Sequence, residues 1–141
     1  MTLPMILAPL FVLVLMTFVI GVLLAARRAT PLTSGAIRPD DISLRQPNWP
    51  KPALQAGYSF QNQFELPLLF YVLTILAIIT KHADLLFVVM AWIFVVSRLF
   101  HAFVHVTSNN IRARGPLFGV GALVLMLMWL IFIVRIMLGL P

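Results

Sequence analysis

Glu65, Arg98, His101 and His105 are the residues of this chain whose types and spacing could do chemistry. Glu65 is the one carboxylate inside a long apolar stretch, residues 60–79. A lone charge in hydrocarbon costs about 2.5–3.5 kcal/mol on insertion scales, and such residues mark functional sites by default. An answering group lies in the next apolar stretch, where Arg98, His101 and His105 fall on one helical face. Together these groups could line a ligand-binding cavity at membrane depth. His101 and His105 are spaced as a metal pair could be, but no third ligand beyond Glu65 is evident. Arg98 beside them would repel a cation, so no metal site is expected.

The spacing also predicts who faces whom. At 100° per residue, Tyr58, Asn62, Glu65 and Leu69 fall within an arc of about 60°, with Gln55 and Gln61 at its flanks. Glu65 lies about 16 residues before the polar connector near Lys81, and Arg98 about 15 after it. Two antiparallel helices joined there would bring both groups to the same depth. The expectation is a Glu65–Arg98 pair with Asn62, His101 and His105 around it. The plainer alternative is that this pair only ties two helices together. Pro67 is expected to bend the second helix and free a carbonyl near the site. Arg114 is expected beside the N-terminus of a helix starting near residue 117, with Pro116 in its first turn. Arg27, Arg28, Arg112 and Arg114 could converge there on a negatively charged ligand, or serve only as lipid anchors.

The elements that must position these groups are membrane spans. Hydrophobic residues make up 62% of the 141 and charged residues 10%, where a soluble domain carries roughly 25% charge. One soluble core of this size could not hide that surface. In a bilayer, backbone hydrogen bonding then demands helices or a closed barrel, and continuous apolar runs favour helices. The four runs are residues 3–26, 53–79, 85–106 and 117–138, giving an all-α integral membrane four-helix bundle in a single domain, 1–141. The first run lacks a basic leader and is about twice a signal sequence's apolar core, so it is read as a retained helix. The absence of cysteine excludes disulfides and thiolate chemistry from the chain's own side chains.

Charge sets the orientation. The loop after the first run carries Arg27, Arg28, Arg38, Arg45 and Lys51, and the loop after the third carries Arg112 and Arg114. Lys81 is the one fixed cation in the connector between the second and third runs. The positive-inside rule places both basic loops in the cytoplasm and both termini outside, in a multi-pass protein of the cell (inner) membrane. Arg135 dissents from the count and is expected to snorkel to the outer interface. The net charge of +6 favours anionic lipid. The basic residues are scattered without interleaved aromatics, so nucleic acid is not an expected partner.

With these residues in view, the chain resembles the MAPEG family, the membrane-associated proteins in eicosanoid and glutathione metabolism. The resemblance rests on Asn62-x-x-Glu65 in the second run, Arg98-x-x-His101 in the third, and four spans of this size. Residues 60–71, Phe-Gln-Asn-Gln-Phe-Glu-Leu-Pro-Leu-Leu-Phe-Tyr, look most like the bacterial branch. So do residues 98–107, Arg-Leu-Phe-His-Ala-Phe-Val-His-Val-Thr. The resemblance implies a homotrimer with clefts between subunits near the cytoplasmic face. It implies glutathione in each cleft, held by Asn62, Glu65, Arg98 and His101, with His105 beside them. It further implies that Arg114 stabilises the thiolate, that Arg28 assists, and that a hydrophobic small-molecule substrate enters from the lipid. Two departures stand out: Gln61 replaces an arginine of glutathione-using members, and His105 stands where they often have tyrosine. The function expected is a glutathione-dependent transferase or peroxidase acting on hydrophobic electrophiles. The alternatives are a non-catalytic scaffold binding lipid or a small anion, and a small proton-coupled transporter.

Overall fold

The computed structural model describes residues 1–44 and 47–141; Arg45, counted above among the basic loop residues, lies outside them. Five α-helices make up the described chain: α1 (Leu3–Thr33), α2 (Lys51–Asn62), α3 (Leu66–Ile79), α4 (Leu85–Val106) and α5 (Ile111–Met137). A short 3-10 turn, Pro39–Asp41, sits in the α1–α2 connection. Four stretches are long and apolar enough to cross a membrane: Leu3–Thr33, Lys51–Ile79, Leu85–Val106 and Ile111–Met137. The protein is therefore an all-α, multi-pass membrane protein built on four spans.

Two helices run further than hydropathy alone indicates. α1 continues past Ala26, through Arg27 and Arg28, to Thr33. Apolar content marks where the hydrocarbon ends, whereas helical hydrogen bonding continues into water wherever the residues permit it. Thr33 Oγ donates to Ala29 O at 2.9 Å, keeping that last turn closed. At its other end of the chain, α5 begins at Ile111 instead of near residue 117. Asn110 caps it, its Oδ1 accepting from Arg112 N at 3.0 Å. Pro116 consequently lies inside the helix and leaves the Arg112 carbonyl without its intrahelical donor.

The second span is two helices rather than one bent helix. Pro67 has no N–H to give the Gln63 carbonyl, and its ring crowds that carbonyl. The chain closes instead with tighter bonds, Phe64 N to Gln61 O at 3.0 Å and Glu65 N to Asn62 O at 3.2 Å. Glu65 then takes φ −98° and ψ −102°, and Pro67 opens α3 in its first turn. A stripe drawn at 100° per residue cannot run unbroken across such a joint.

α4 is the central helix. Half of its apolar window is buried, against 17% for α5, so α5 leaves most of its surface to lipid or to other protein. The core packs Leu13, Phe70, Leu73, Phe94, Val95, Leu125 and Met128 together, with the Phe70 and Phe94 rings stacked at 5.0 Å. α5 approaches α4 closely at Gly121, where a Cβ would lie 2.9 Å from Ser97 Oγ.

The two ends of the bundle are tied differently. At the basic end Arg27 donates to Pro52 O at 3.1 Å and to Val106 O at 2.9 Å, joining α1 to the start of α2 and the end of α4. At the opposite end Arg135 and Asp84 pair at 2.8 Å, joining α5 to the N-cap of α4. Arg135 thus meets a carboxylate of its own chain, where the sequence pointed to the interface.

Candidate functional site

Arg98 is wholly buried on α4, with 0% of its surface exposed. Its Nη2 donates to Asn62 Oδ1, across from the last turn of α2. Its Nε and Nη1 have no hydrogen-bond partner. Ser97 and Gly121 close the α5 side, where a Cβ on Gly121 would lie 3.7 Å from Arg98 Cδ. A buried guanidinium with two idle donors is an uncompensated cation, and that is costly in a low-dielectric interior.

Glu65 does not supply the compensation expected of it. Among the described residues the one ion pair within 4.0 Å is Arg135–Asp84. Glu65 lies beyond ion-pair distance of Arg98. The break at residues 63–65 sets Glu65 as the N-cap of α3, on the exposed surface of the chain. Tyr58 is also turned outward, 53% exposed.

One and two turns beyond Arg98, His101 and His105 are buried on the same face of α4. Their rings lie 5.8 Å apart, and His101 lies 5.8 Å from the Phe118 ring on α5. Each leaves Nδ1 without a partner. Arg114 is held from the loop side, its Nη1 donating to Asn109 Oδ1 at 2.6 Å. That partner is a neutral amide, so the Arg114 charge is not cancelled. Its own backbone N–H is spent on Asn110 O at 2.8 Å, so the extra anion-binding amide expected beside it is engaged.

Asn62, Arg98, His101 and His105 therefore come together between α2, α4 and α5, with Arg114 held by Asn109 at the loop. Arg28 does not join them. It lies on the α1-facing side of α2, with its guanidinium 5.0 Å over the Trp49 ring. A Cβ on Gly57 would lie 3.5 Å from Arg28 Nη2. There Arg28 borders an open groove of about 970 Å³ with Tyr58 and Gln61 on its wall. Among the described residues no three His, Asp or Glu side chains gather closely enough to hold a metal ion.

Two buried polar residues near the end of α2 went unread in the sequence, Ser59 and Gln63. Both are nearly inaccessible, and Ser59 Oγ and Gln63 Oε1 lack partners. The signal was present: Ser59, Asn62 and Gln63 stand at i, i+3 and i+4, one helical face.

Cationic donors without partners suit carboxylates, and the buried guanidinium of Arg98 is the strongest such donor here. The outward carboxylate of Glu65 suits an ammonium. A small zwitterionic peptide carries both kinds of group. Compared with known proteins, the family model of the MAPEG family matches residues 6–134. No curated protein and no solved structure matches the chain.

Proposed function

The chain belongs to the MAPEG family, and from that premise we propose that it is a glutathione-dependent transferase or peroxidase acting on hydrophobic electrophiles in the membrane. One observation carries the reading: Arg98 is fully buried, held by Asn62, and keeps Nε and Nη1 free. Arg98 would take a carboxylate of glutathione, and Asn62 orients the guanidinium for it. His101 and His105 line the same face and add their unpartnered Nδ1 atoms. Glu65 would take the ammonium; Arg28 faces a separate groove of this chain and would reach a second carboxylate only across a subunit boundary. When bound, glutathione supplies a thiol whose thiolate form is the nucleophile. Arg114 keeps positive charge near that group, because Asn109 fixes its position without neutralising it.

The same reading includes a homotrimer in the cell (inner) membrane, basic loops in the cytoplasm and both termini outside. The outward Glu65 and Tyr58 support the assembly, since a carboxylate at this depth needs a neighbour to cover it. The basic loops support the orientation, because they gather at one end of the bundle.

The test is conjugation of glutathione to an aryl halide by the purified protein, with binding followed by calorimetry. Activity is expected, and Arg114→Ala should lower kcat at least tenfold with binding largely kept. A protein that neither binds glutathione nor turns it over rules the reading out. The second reading, a scaffold that binds lipid or a small anion, draws on the same idle Arg98 donors together with Gln61 and His105. Phosphate-headgroup lipid that binds the wild type, is lost in Arg98→Met and is not displaced by glutathione would select it.

A further inference from the structure

Arg27 and Arg28 stand side by side on α1 and are used differently. Arg27 donates to Pro52 O and Val106 O, so its guanidinium is spent on the fold. Arg28 is exposed, and among the described residues no oxygen accepts a hydrogen bond from it. It is held in place all the same. Its guanidinium lies 5.0 Å over the Trp49 ring, and Gly57 lets it pass close to α2, where a Cβ would come within 3.5 Å of Nη2. A guanidinium stacked by its face keeps its edge donors for an oxyanion.

The groove beside Arg28 changes character along its length. At the Arg28 end it carries the Trp49 ring, the exposed Tyr58 ring and the Gln61 amide. Further in it becomes apolar, on Leu24, Phe60 and Phe64. Phe60 and Phe64 also wall the next groove, of about 570 Å³, which follows α1 past Gly21 and Phe18 to Val14. From Arg28 to Val14 α1 rises about 21 Å, against about 15 Å of hydrocarbon in one leaflet. Among the described residues no carboxylate lines either groove. A cation thus heads an apolar path as deep as one leaflet, with Trp49 and Tyr58 at the level where such rings meet headgroups. We propose that this path binds one phospholipid of net negative charge, its phosphate on Arg28 and one acyl chain along α1 towards Val14. A soluble anion gains nothing from the apolar path. A choline headgroup brings a second cation beside Arg28, so the site distinguishes anionic from zwitterionic lipid. The proposal goes beyond the glutathione reading and does not depend on what Arg98 holds. It competes with that reading at one residue, because Arg28 then serves the lipid and not a second carboxylate of glutathione.

The test is native mass spectrometry of the full chain, delipidated in detergent and titrated with phosphatidylglycerol or phosphatidylcholine of equal chain length. The first phosphatidylglycerol should bind about tenfold more tightly, the worth of one hydrogen bond to a charged group. Arg28→Gln should bring the two lipids level, and Trp49→Leu, which frees the guanidinium, should narrow the gap. Arg112→Gln, at the same end but off the groove, should leave the preference intact. Gly21→Leu, whose Cβ meets the Phe60 ring, blocks the tail path and should weaken both lipids. Neither glycerol phosphate nor glutathione in large excess should displace the bound lipid. Displacement by glycerol phosphate would make this a site for a free phosphate, and displacement by glutathione would return Arg28 to the glutathione cleft; each overturns the proposal. So does equal affinity for the two lipids in the wild type, or binding that Gly21→Leu leaves unchanged. A preference that Arg112→Gln removes as fully as Arg28→Gln is diffuse charge attraction and overturns it as well.

Discussion

Asn62 and Arg98 show how one hydrogen bond separates structure from binding. Asn62 Oδ1 is the acceptor Arg98 has, so Asn62→Leu should leave a wholly buried cation with no partner. The expected loss is about 2–3 kcal/mol, as for other bonds to a buried charge. Arg98→Met removes charge and need together and should cost less than half of that. The same substitution should abolish glutathione binding. Thermal midpoints in detergent, set beside calorimetry, separate the two effects; an Arg98→Met protein as unstable as Asn62→Leu would make Arg98 mainly a structural strut. Helical spacing was enough to place Asn62, Arg98, His101 and His105 on one cluster, because α4 is regular and the end of α2 is still helical. It failed at Glu65 for a local reason. Pro67 stops α-helical hydrogen bonding just where the arc was extended, and the carboxylate turned outward.

Hydropathy found all four spans, and its bounds coincide with α4, but α1 and α5 run beyond theirs, since hydropathy measures transfer from water and says nothing of caps. Asn110 starts α5 well before the apolar run, and α1 outlasts its apolar run into the polar loop. Nor could hydropathy show how closely α4 and α5 pack, because a glycine in an apolar run reads as neutral. The structure gives Gly121 a specific task, letting α5 come within contact of Ser97 and the Arg98 stem. Gly121→Ala places its Cβ 2.9 Å from Ser97 Oγ, and that hydroxyl is held by a 2.6 Å bond to Phe94 O. The helices must separate or the hydroxyl must swing away, at a cost of about 1–3 kcal/mol. Ser97→Ala alone should be nearly silent, because its hydroxyl only adds a second donor to a carbonyl in the same helix. The double variant should recover at least half of the loss. A double-mutant cycle of unfolding midpoints measures the coupling, and simple additivity would show that the close approach is not what Gly121 provides.

Across the whole molecule the charges are divided between two ends. Arg27, Arg28, Arg112 and Arg114 crowd the end where Arg27 ties α1, α2 and α4 together. The opposite end carries Asp84 and Arg135 as a pair, with His82 Nε2 bonded to Leu140 O at 2.9 Å beside it. The pair neutralises Arg135 locally, so the net positive charge of the molecule stays concentrated at the basic end. It also gives that end a pH dependence. Partial burial raises the Asp84 carboxyl, but the hydrogen bond from Arg135, the Phe87 N–H and the Arg135 charge outweigh it and hold it below its ordinary value. A carboxyl held low when folded adds stability above its unfolded pKa, near 3.9, and loses it as pH falls through the lower folded value. Asp84 is 47% exposed, so solvent screens the pair and its worth is below about 1 kcal/mol. Asp84→Asn keeps a good helix cap while deleting the charge. It should melt slightly below wild type at neutral pH, and the two curves should converge on acidification below about pH 4. Added salt should shrink the neutral-pH gap through screening. A gap that is the same at both pH values would assign the effect of Asp84 to its capping bond with Phe87 and not to Arg135.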